Sequence, residues 1–254
     1  MKKNPIKQRT IAASYRGRAA AAAWVLGAAG AWLAAWAPVQ AQSVGSSISG
    51  YVTVTSDYRR RGLSQSRGDT SIQVGGDYQH RSGFFTGAWI ATMEYVPGNG
   101  FQGSSRQKEI GYYAGYSRRA GRWSFAATAG RYAYPDAARD YDYDEASGTV
   151  AYRDKIFLTA SYTDDLFSRG ASALNQEIGV TLPLPGRLEL GATLGVFDSS
   201  DLDVRYTHWN LGLSKTFARR LGLDVRFYDN SGYFASPLGA TSGDHWVVSA
   251  SLGF

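Results

Sequence analysis

Ionisable side chains recur on one face of a series of short segments whose other face is apolar. Groups of this kind are tolerated at membrane depth only in water or when they are paired. Carboxylates outnumber cations among them, which would favour cations in an open passage. The alternative is that the carboxylates pair across strands with Arg59, Lys155 and Arg226. The candidate pore-lining residues are Asp57, Asp77, Glu109, Glu177, Glu189, His208, Asp224 and Arg226.

Two predicted loops carry opposite charge. Arg59, Arg60 and Arg61 make the first long loop basic, and guanidinium groups there would suit lipopolysaccharide phosphate or another anion. Acidic residues between positions 136 and 145 make the third long loop acidic, which would suit divalent cations between lipid phosphates. Solvated surface is the alternative for both loops.

Catalytic, metal and nucleic-acid functions have little support in the sequence. The chain has three histidines and no cysteine. His80 and Ser82 have a spacing suggestive of a hydrolase, but they fall in a predicted short turn. His208, His245 and the Asp164-Asp165 pair are the residue types of a His/Asp protease site, so composition leaves that alternative open. No catalytic motif, metal-ligand spacing or phosphate-binding loop is present, so we predict no catalytic residue, no cofactor and no metal.

The first 41 residues have the order of a secretory signal peptide. Six cations precede position 19, an alanine-rich apolar run extends from Ala19 to Ala37, and Val39-Gln40-Ala41 offers small residues for cleavage. A retained transmembrane anchor is the alternative. The six cations account for the whole excess of 27 Lys and Arg over 21 Asp and Glu, so the predicted mature chain, residues 42–254, is formally neutral and not a nucleic-acid-binding protein.

Period-two alternation predicts an all-β fold, a transmembrane antiparallel up-and-down barrel of about twelve strands. The last nine residues, Trp246 to Phe254, alternate without a break and must pair with an early strand. Long and short gaps alternate along the chain, as in outer-membrane barrels, whereas a soluble barrel, the alternative, would turn its apolar face inward. Aromatic residues near strand ends predict interfacial girdles, and these residues are Tyr58, Tyr78, Tyr116, Trp123, Tyr162, Trp209, Phe227, Trp246 and Phe254.

Several segments of the first half resemble the TorF family of porin-like proteobacterial proteins. They are Ile48 to Tyr58, Arg59 to Ser66, Gln73 to Tyr78, Ser82 to Trp89 and Glu109 to Tyr116. The match is specific over residues 48–116 and architectural beyond them, and Arg60 stands where the family often has an apolar residue. The resemblance implies an outer-membrane barrel of porin type, and it implies no particular substrate.

Together these observations predict a protein of the bacterial outer membrane, most simply a monomer, that lets small hydrophilic solutes diffuse passively and prefers cations. The alternative is a non-conducting barrel with a structural or adhesive role, and an outer-membrane hydrolase is a weaker one. The expected partners are outer-membrane lipid, lipopolysaccharide, small polar solutes and the barrel-assembly machinery. The last of these is expected because the terminal Phe254 resembles the assembly signal of outer-membrane barrels.

Overall fold

The structure, a computed structural model, describes residues 45–95, 105–137, 139–218, 220–231 and 243–254. The predicted signal peptide, residues 1–41, lies outside the described residues, and so does the apolar run of the anchor alternative. Within the described ranges, no helix is long and apolar enough to cross a bilayer.

Twelve antiparallel strands close into one barrel, which confirms the predicted fold class. The remaining two strands, β2 and β3, pair only with each other. The strands are β1 Ser47–Thr55, β2 Arg59–Arg60, β3 Leu63–Ser64, β4 Ser71–Gln79, β5 Phe84–Tyr95, β6 Ser105–Ala120, β7 Trp123–Ala133, β8 Tyr143–Tyr152, β9 Ile156–Thr163, β10 Ala173–Leu184, β11 Leu188–Ser199, β12 Val204–Phe217, β13 Leu221–Asn230 and β14 His245–Gly253. Three short 3₁₀ turns lie at Leu166–Ser168, Pro185–Arg187 and Ser200–Leu202.

The outer face of the barrel is apolar and the inner face is polar. Leu158 and Leu211 point outward and are exposed, whereas Thr159 and Asn210 beside them point inward and are buried. A soluble barrel would have the opposite arrangement, so the face polarity contradicts that alternative. An apolar surface that continues around a closed barrel requires lipid rather than water around it.

The first and last strands close the barrel. β1 pairs with β14 from Tyr51 opposite Gly253 to Thr55 opposite Ser249. One step further, Gly50 and Phe254 exchange both backbone hydrogen bonds, at 2.9 and 3.0 Å. The predicted pairing of the terminal strand with an early strand is therefore confirmed, and no strand of the barrel keeps an open edge.

Aromatic side chains form outward clusters at both ends of the barrel. Trp209, Phe227 and Trp246 lie on neighbouring strands with ring centroids 5.5 and 5.2 Å apart, and Phe84 with Tyr116 forms a similar contact at the other end. Tyr58 was predicted among these residues, but it is fully buried inside the barrel. β1 ends at Thr55, so the alternation that continues to Tyr58 in the sequence no longer defines a face of the sheet.

Short turns lie at one end of the barrel, here called the short-turn end, and longer connections lie at the other, the long-loop end. The connection from β11 to β12 is shorter than the sequence predicts. The break in alternation there predicts a long loop over Phe197 to Arg205. Both strands continue further, and a 3₁₀ turn at Ser200–Leu202 followed by Asp203 in a left-handed conformation, with φ of 52°, joins them directly.

The polarity of the faces predicts how the barrel tolerates an outward charge. Leu211 lies in the middle of β12, so Leu211→Arg should lower the free energy of unfolding in lipid vesicles by about 2–4 kcal/mol, because the guanidinium would face acyl chains. Ile48→Arg, near the short-turn end, is the control and should cost at most about 1 kcal/mol. Urea titration of the folded, heat-modifiable form measures both, and equal losses would contradict the proposed membrane depth of the two positions.

Candidate functional site

The chain between β1 and β4 folds into the barrel instead of out of it. β2 and β3 form a hairpin, with Arg61 and Gly62 at its turn, both with positive φ, 51° and 79°. The tip rests on the far wall, where a Cβ at Gly62 would lie 2.7 Å from Cβ of His208, so only glycine fits there. The Asn230 side-chain amide donates a hydrogen bond of 2.9 Å to the Gly62 carbonyl.

This position corrects the prediction of a basic outer loop. Arg59 is 1% and Arg60 8% exposed, so neither side chain lies on the outer surface where lipopolysaccharide would bind. The physical reason is that carboxylates on the inner face offer the arginines stronger partners than water does at the surface. Contact with another anion inside the barrel stays a prediction.

Asp57 organises the base of the hairpin. Its carboxylate accepts a hydrogen bond of 2.6 Å from Arg59 Nε on one oxygen, and bonds of 2.5 and 3.0 Å from the Ser64 and Ser66 hydroxyls on the other. The Gly68 backbone N–H adds a bond of 3.3 Å. The buried charge is thereby neutralised, and both arms of the hairpin are tied to one side chain.

Glu109 of β6 is fully buried and holds the hairpin against the wall. Arg60 Nη1 lies 3.2 Å from one carboxylate oxygen, which also accepts a bond of 2.9 Å from the Tyr134 hydroxyl. The Tyr58 hydroxyl donates to the other oxygen at 2.7 Å. Burial, reinforced by the Glu109 charge, raises the pKa of the Tyr58 hydroxyl well above its ordinary value, so this group remains a donor.

Aromatic rings and a second carboxylate complete the contacts of the hairpin. The Arg60 guanidinium stacks on Tyr132 with 3.8 Å to the ring centroid. Glu145 of β8 accepts from Arg61 Nη2 at 2.5 Å and lies 3.7 Å from Arg60 Nη2. Glu145 was predicted as part of the acidic outer loop, although the alternation of β8, extended backward from Ala146, would have placed it on the inner face.

The hairpin leaves a polar recess between its tip and the opposite wall. Its empty volume is about 550 Å³ with its opening to solvent included. Glu177 and His208 lie there, with His208 Nε2 2.9 Å from Asn175 Oδ1 and 3.8 Å from the Glu177 carboxylate. The lining residues are Arg59, Arg60, Arg61, Gly62, Tyr132, Glu145, Ser147, Ser161, Asn175, Glu177, His208, Asn210 and Tyr228.

A second polar group lies nearer the short-turn end. Asp224 accepts two bonds from Arg226, at 3.3 and 3.0 Å, and Arg226 also donates to Asn210 at 2.7 Å. Glu189 lies half-buried on the inner face of β11. Asp77 on β4 accepts a hydrogen bond from Tyr113 on β6, two strands away around the barrel.

All eight candidate pore-lining residues therefore point inward, but they form separate groups rather than one site. The alternative of ion pairing holds for two of the carboxylates. Asp57 pairs with Arg59 and Asp224 with Arg226, in each case two residues apart on the chain rather than across strands. The third cation of that alternative, Lys155, is exposed in the turn before β9.

The residues considered for chemistry are dispersed. His80 Nδ1 lies 2.7 Å from the Ser82 hydroxyl in an exposed turn at the short-turn end, whereas His208 lies inside the barrel and Asp164 is exposed in a loop at the other end. Among the described residues, no three His, Asp or Glu side chains lie close enough to hold a metal ion. In the acidic loop, Asp142 and Asp144 pair with Arg131.

Comparisons with known proteins give a family and a fold. Residues 39–249 match the family model described as "Bacterial protein of unknown function (Gcw_chp)". A comparison with curated proteins finds no match. Among solved structures, a "KdgM porin" is similar with 11% identity and a TM-score of 0.52, over 82% of this chain and 99% of that chain. A "NanC porin" is similar with 6% identity and a TM-score of 0.53, over 82% of this chain and 99% of that chain. At such identities the likeness concerns the fold alone.

The buried position of Glu109 predicts a stability effect. Glu109→Gln should lower the free energy of unfolding by about 3 kcal/mol, because it removes the charge that compensates the buried Arg60 guanidinium. The matched control is Asp154→Asn, which breaks the exposed Arg119–Asp154 pair and should cost less than about 1 kcal/mol. Urea titrations of the double variant R60Q/E109Q should show a loss smaller than the sum of the single losses. Equal losses for E109Q and D154N would contradict the pairing.

Proposed function

The chain belongs to the Gcw_chp family of bacterial proteins, and we propose that it is a porin-like channel of the bacterial outer membrane through which small hydrophilic solutes diffuse passively. The observation that carries the proposal is the opposite polarity of the two faces of a closed barrel. The outer face requires lipid, while the inner face carries more polar groups than its internal hydrogen bonds satisfy. Water in the lumen supplies the missing partners.

The hairpin defines where such a passage would be narrowest. It reaches from Glu109 on β6 to Asn230 on β13 and so crosses the lumen. Solutes must then pass through the recess on the side of β8 to β13, past hydroxyl, amide and charged groups. Such a passage would favour small and hydrophilic molecules, because most of the lining side chains can donate or accept hydrogen bonds.

The predicted cation preference now rests on two carboxylates of the β8-to-β13 side, along which solutes would pass. Asp77 on β4 also has no ion pair within the described ranges, but it lies on the other side of the hairpin and accepts a hydrogen bond from Tyr113. Asp57, Glu109 and Asp224 are compensated by arginines. Glu177 and Glu189, in contrast, form no ion pair with an arginine or lysine of the described chain, and Glu177 has only His208 within ion-pair distance. Uncompensated carboxylates attract mobile cations, so these two residues would give the passage its preference.

The expected partners follow from the same arrangement and remain proposals. Outer-membrane lipid would surround the apolar face, and lipopolysaccharide would meet exposed charges of the long-loop end, such as Arg131 and Asp144. The barrel-assembly machinery would bind the last strand through Phe254, whose side chain is exposed at the closing seam. The resemblance to the TorF family agrees with the proposed channel, and no catalytic residue is part of it.

One solved structure with a similar fold contains a bound solute. That structure is described as "KdgM porin in complex with disordered oligogalacturonate", and it is similar to this chain with 11% identity and a TM-score of 0.51, over 82% of this chain. For the present barrel, we propose only the broader class of small polar solutes. The inner wall offers Asn175, Asn210 and Ser161 as neutral hydrogen-bonding groups for them.

Planar-bilayer recordings of the refolded barrel test this function. Discrete conductance steps are expected, with a reversal potential in a KCl gradient on the cation-selective side. The double variant E177Q/E189Q should move the reversal potential toward zero, since it removes the two carboxylates of the β8-to-β13 side that have no arginine or lysine partner among the described residues. The control Asp164→Asn removes one exposed carboxylate outside the lumen and should leave the reversal potential unchanged.

Two results would count against the proposal. Silence in many independent insertions, with the barrel shown to be folded, would favour the non-conducting structural or adhesive barrel, which the filling of the lumen by the hairpin makes the second candidate. Conductance with unchanged selectivity in E177Q/E189Q would keep the channel but remove these two residues from its selectivity.

A further inference from the structure

The three consecutive arginines of the hairpin are held to very different degrees. The Arg59 side chain is 1% exposed and fixed by Asp57 and by two backbone carbonyls, of Gly62 and Gly243, at 3.1 and 2.7 Å. The Arg60 side chain is 8% exposed, stacked on Tyr132 and paired with Glu109. Both border the recess, but several contacts fix each of them in the packed interior.

Arg61 differs from its neighbours. Its side chain is the most exposed of the three, at 13%, and its guanidinium lies 5.9 Å from the Phe197 ring centroid, too far for close stacking. Its ion-pair partner in the described chain is Glu145, at 2.5 Å. A single partner at the end of a long side chain holds the guanidinium less firmly than the fork of contacts around Arg59 does.

The Arg61 side chain extends across the recess. Its backbone follows the hairpin to the tip, where Gly62 approaches His208 of β12 and Asn230 of β13. Its guanidinium reaches Glu145 on β8. These strands lie on opposite sides of the recess, and Glu177 of β10 lies on the wall between them. The side chain therefore spans the part of the lumen that the hairpin leaves open.

We propose that Arg61 is the residue that sets both the size limit and the charge selectivity of the passage. The proposal rests on the channel function proposed above and names the group that determines its specificity. A cation that crosses the recess passes beside the guanidinium and is repelled, while the Glu177 carboxylate attracts it from the facing wall. The net preference for cations is then weaker than the strand carboxylates alone would produce.

Glu145 has a defined part in this arrangement. It offsets the charge of Arg61 and fixes where its guanidinium lies. Glu145→Gln would leave a positive charge without its main partner in the recess, so it should shift the selectivity toward anions. Removal of Arg61 should shift it in the opposite direction, and this opposition of signs distinguishes an electrostatic role from a general loss of structure.

Two substitutions separate charge from size. Arg61→Gln keeps much of the side-chain length and removes the charge, and it should raise the cation-to-anion permeability ratio at least about threefold at low salt. Arg61→Asn also shortens the side chain, in a residue type that tolerates the left-handed backbone at this position, and it should raise the single-channel conductance as well. Planar-bilayer recordings in a KCl gradient measure both quantities.

The chain supplies a matched control at Arg67. This residue belongs to the same loop, has a similar φ of 59°, and is exposed outside the recess. R67Q and R67N remove the same charge from the same kind of backbone position and should leave conductance and reversal potential at their wild-type values. Heat-modifiable mobility on gels shows that each variant is folded before it is recorded.

Each outcome decides between the proposals. Wild-type conductance that R61Q and R61N leave unchanged would overturn the role of Arg61 and spare the channel. A silent wild type with a conducting R61N would support Arg61 as the obstruction and refute an open resting passage. Silence of both proteins would refute the channel and this role together, and equal shifts in the Arg61 and Arg67 variants would refute a specific effect of the recess.

Discussion

A carboxylate sealed inside a membrane barrel must be compensated, and Glu109 shows how much structure this requirement organises. Its two oxygens receive Arg60, Tyr58 and Tyr134. Two of these groups belong to the segment that folds inward, so compensating one charge on β6 draws the whole hairpin into the lumen. The burial of an ion that costs several kcal/mol when unpaired thereby determines the shape of the interior.

The hairpin also divides the lumen into two unlike halves. On the side of β1, β4, β5 and β6, the buried rings of Tyr51, Phe85 and Trp89 pack between polar groups of the inner wall. On the side of β8 to β13, the wall is made of hydroxyl, amide and carboxyl groups around the recess. Ring packing supports the structure on the first side, and the polar groups of the second side offer hydrogen-bond partners to water in the recess.

Period-two alternation was sufficient to predict the twelve strands, their faces and the closing pair, because each strand turns one face to lipid and the other to a polar interior. The alternation failed at Tyr58 and at the three arginines, since it describes a face only while the strand continues. The partners that draw this segment inward, Glu109 and Glu145, lie far along the chain, and no local pattern specifies that contact. A dense run of Ser, Arg and Gly after Asp57 was a usable signal, because so many polar groups in one loop need partners that solvent alone does not order.

The hairpin connects the first two strands of the barrel, yet its tip is completed by His208 and Asn230 from strands near the end of the chain. Along the chain, Gly62 is separated from both of these residues by well over a hundred positions. Bringing such distant segments together costs conformational entropy before the contacts can form. An incomplete sheet therefore leaves the tip of an arginine-rich arm without its contacts on the far wall, while the last strands complete those contacts and seal the cylinder at once. Assembly of this protein becomes a concerted event, in which circular closure and the filling of the interior are the same step.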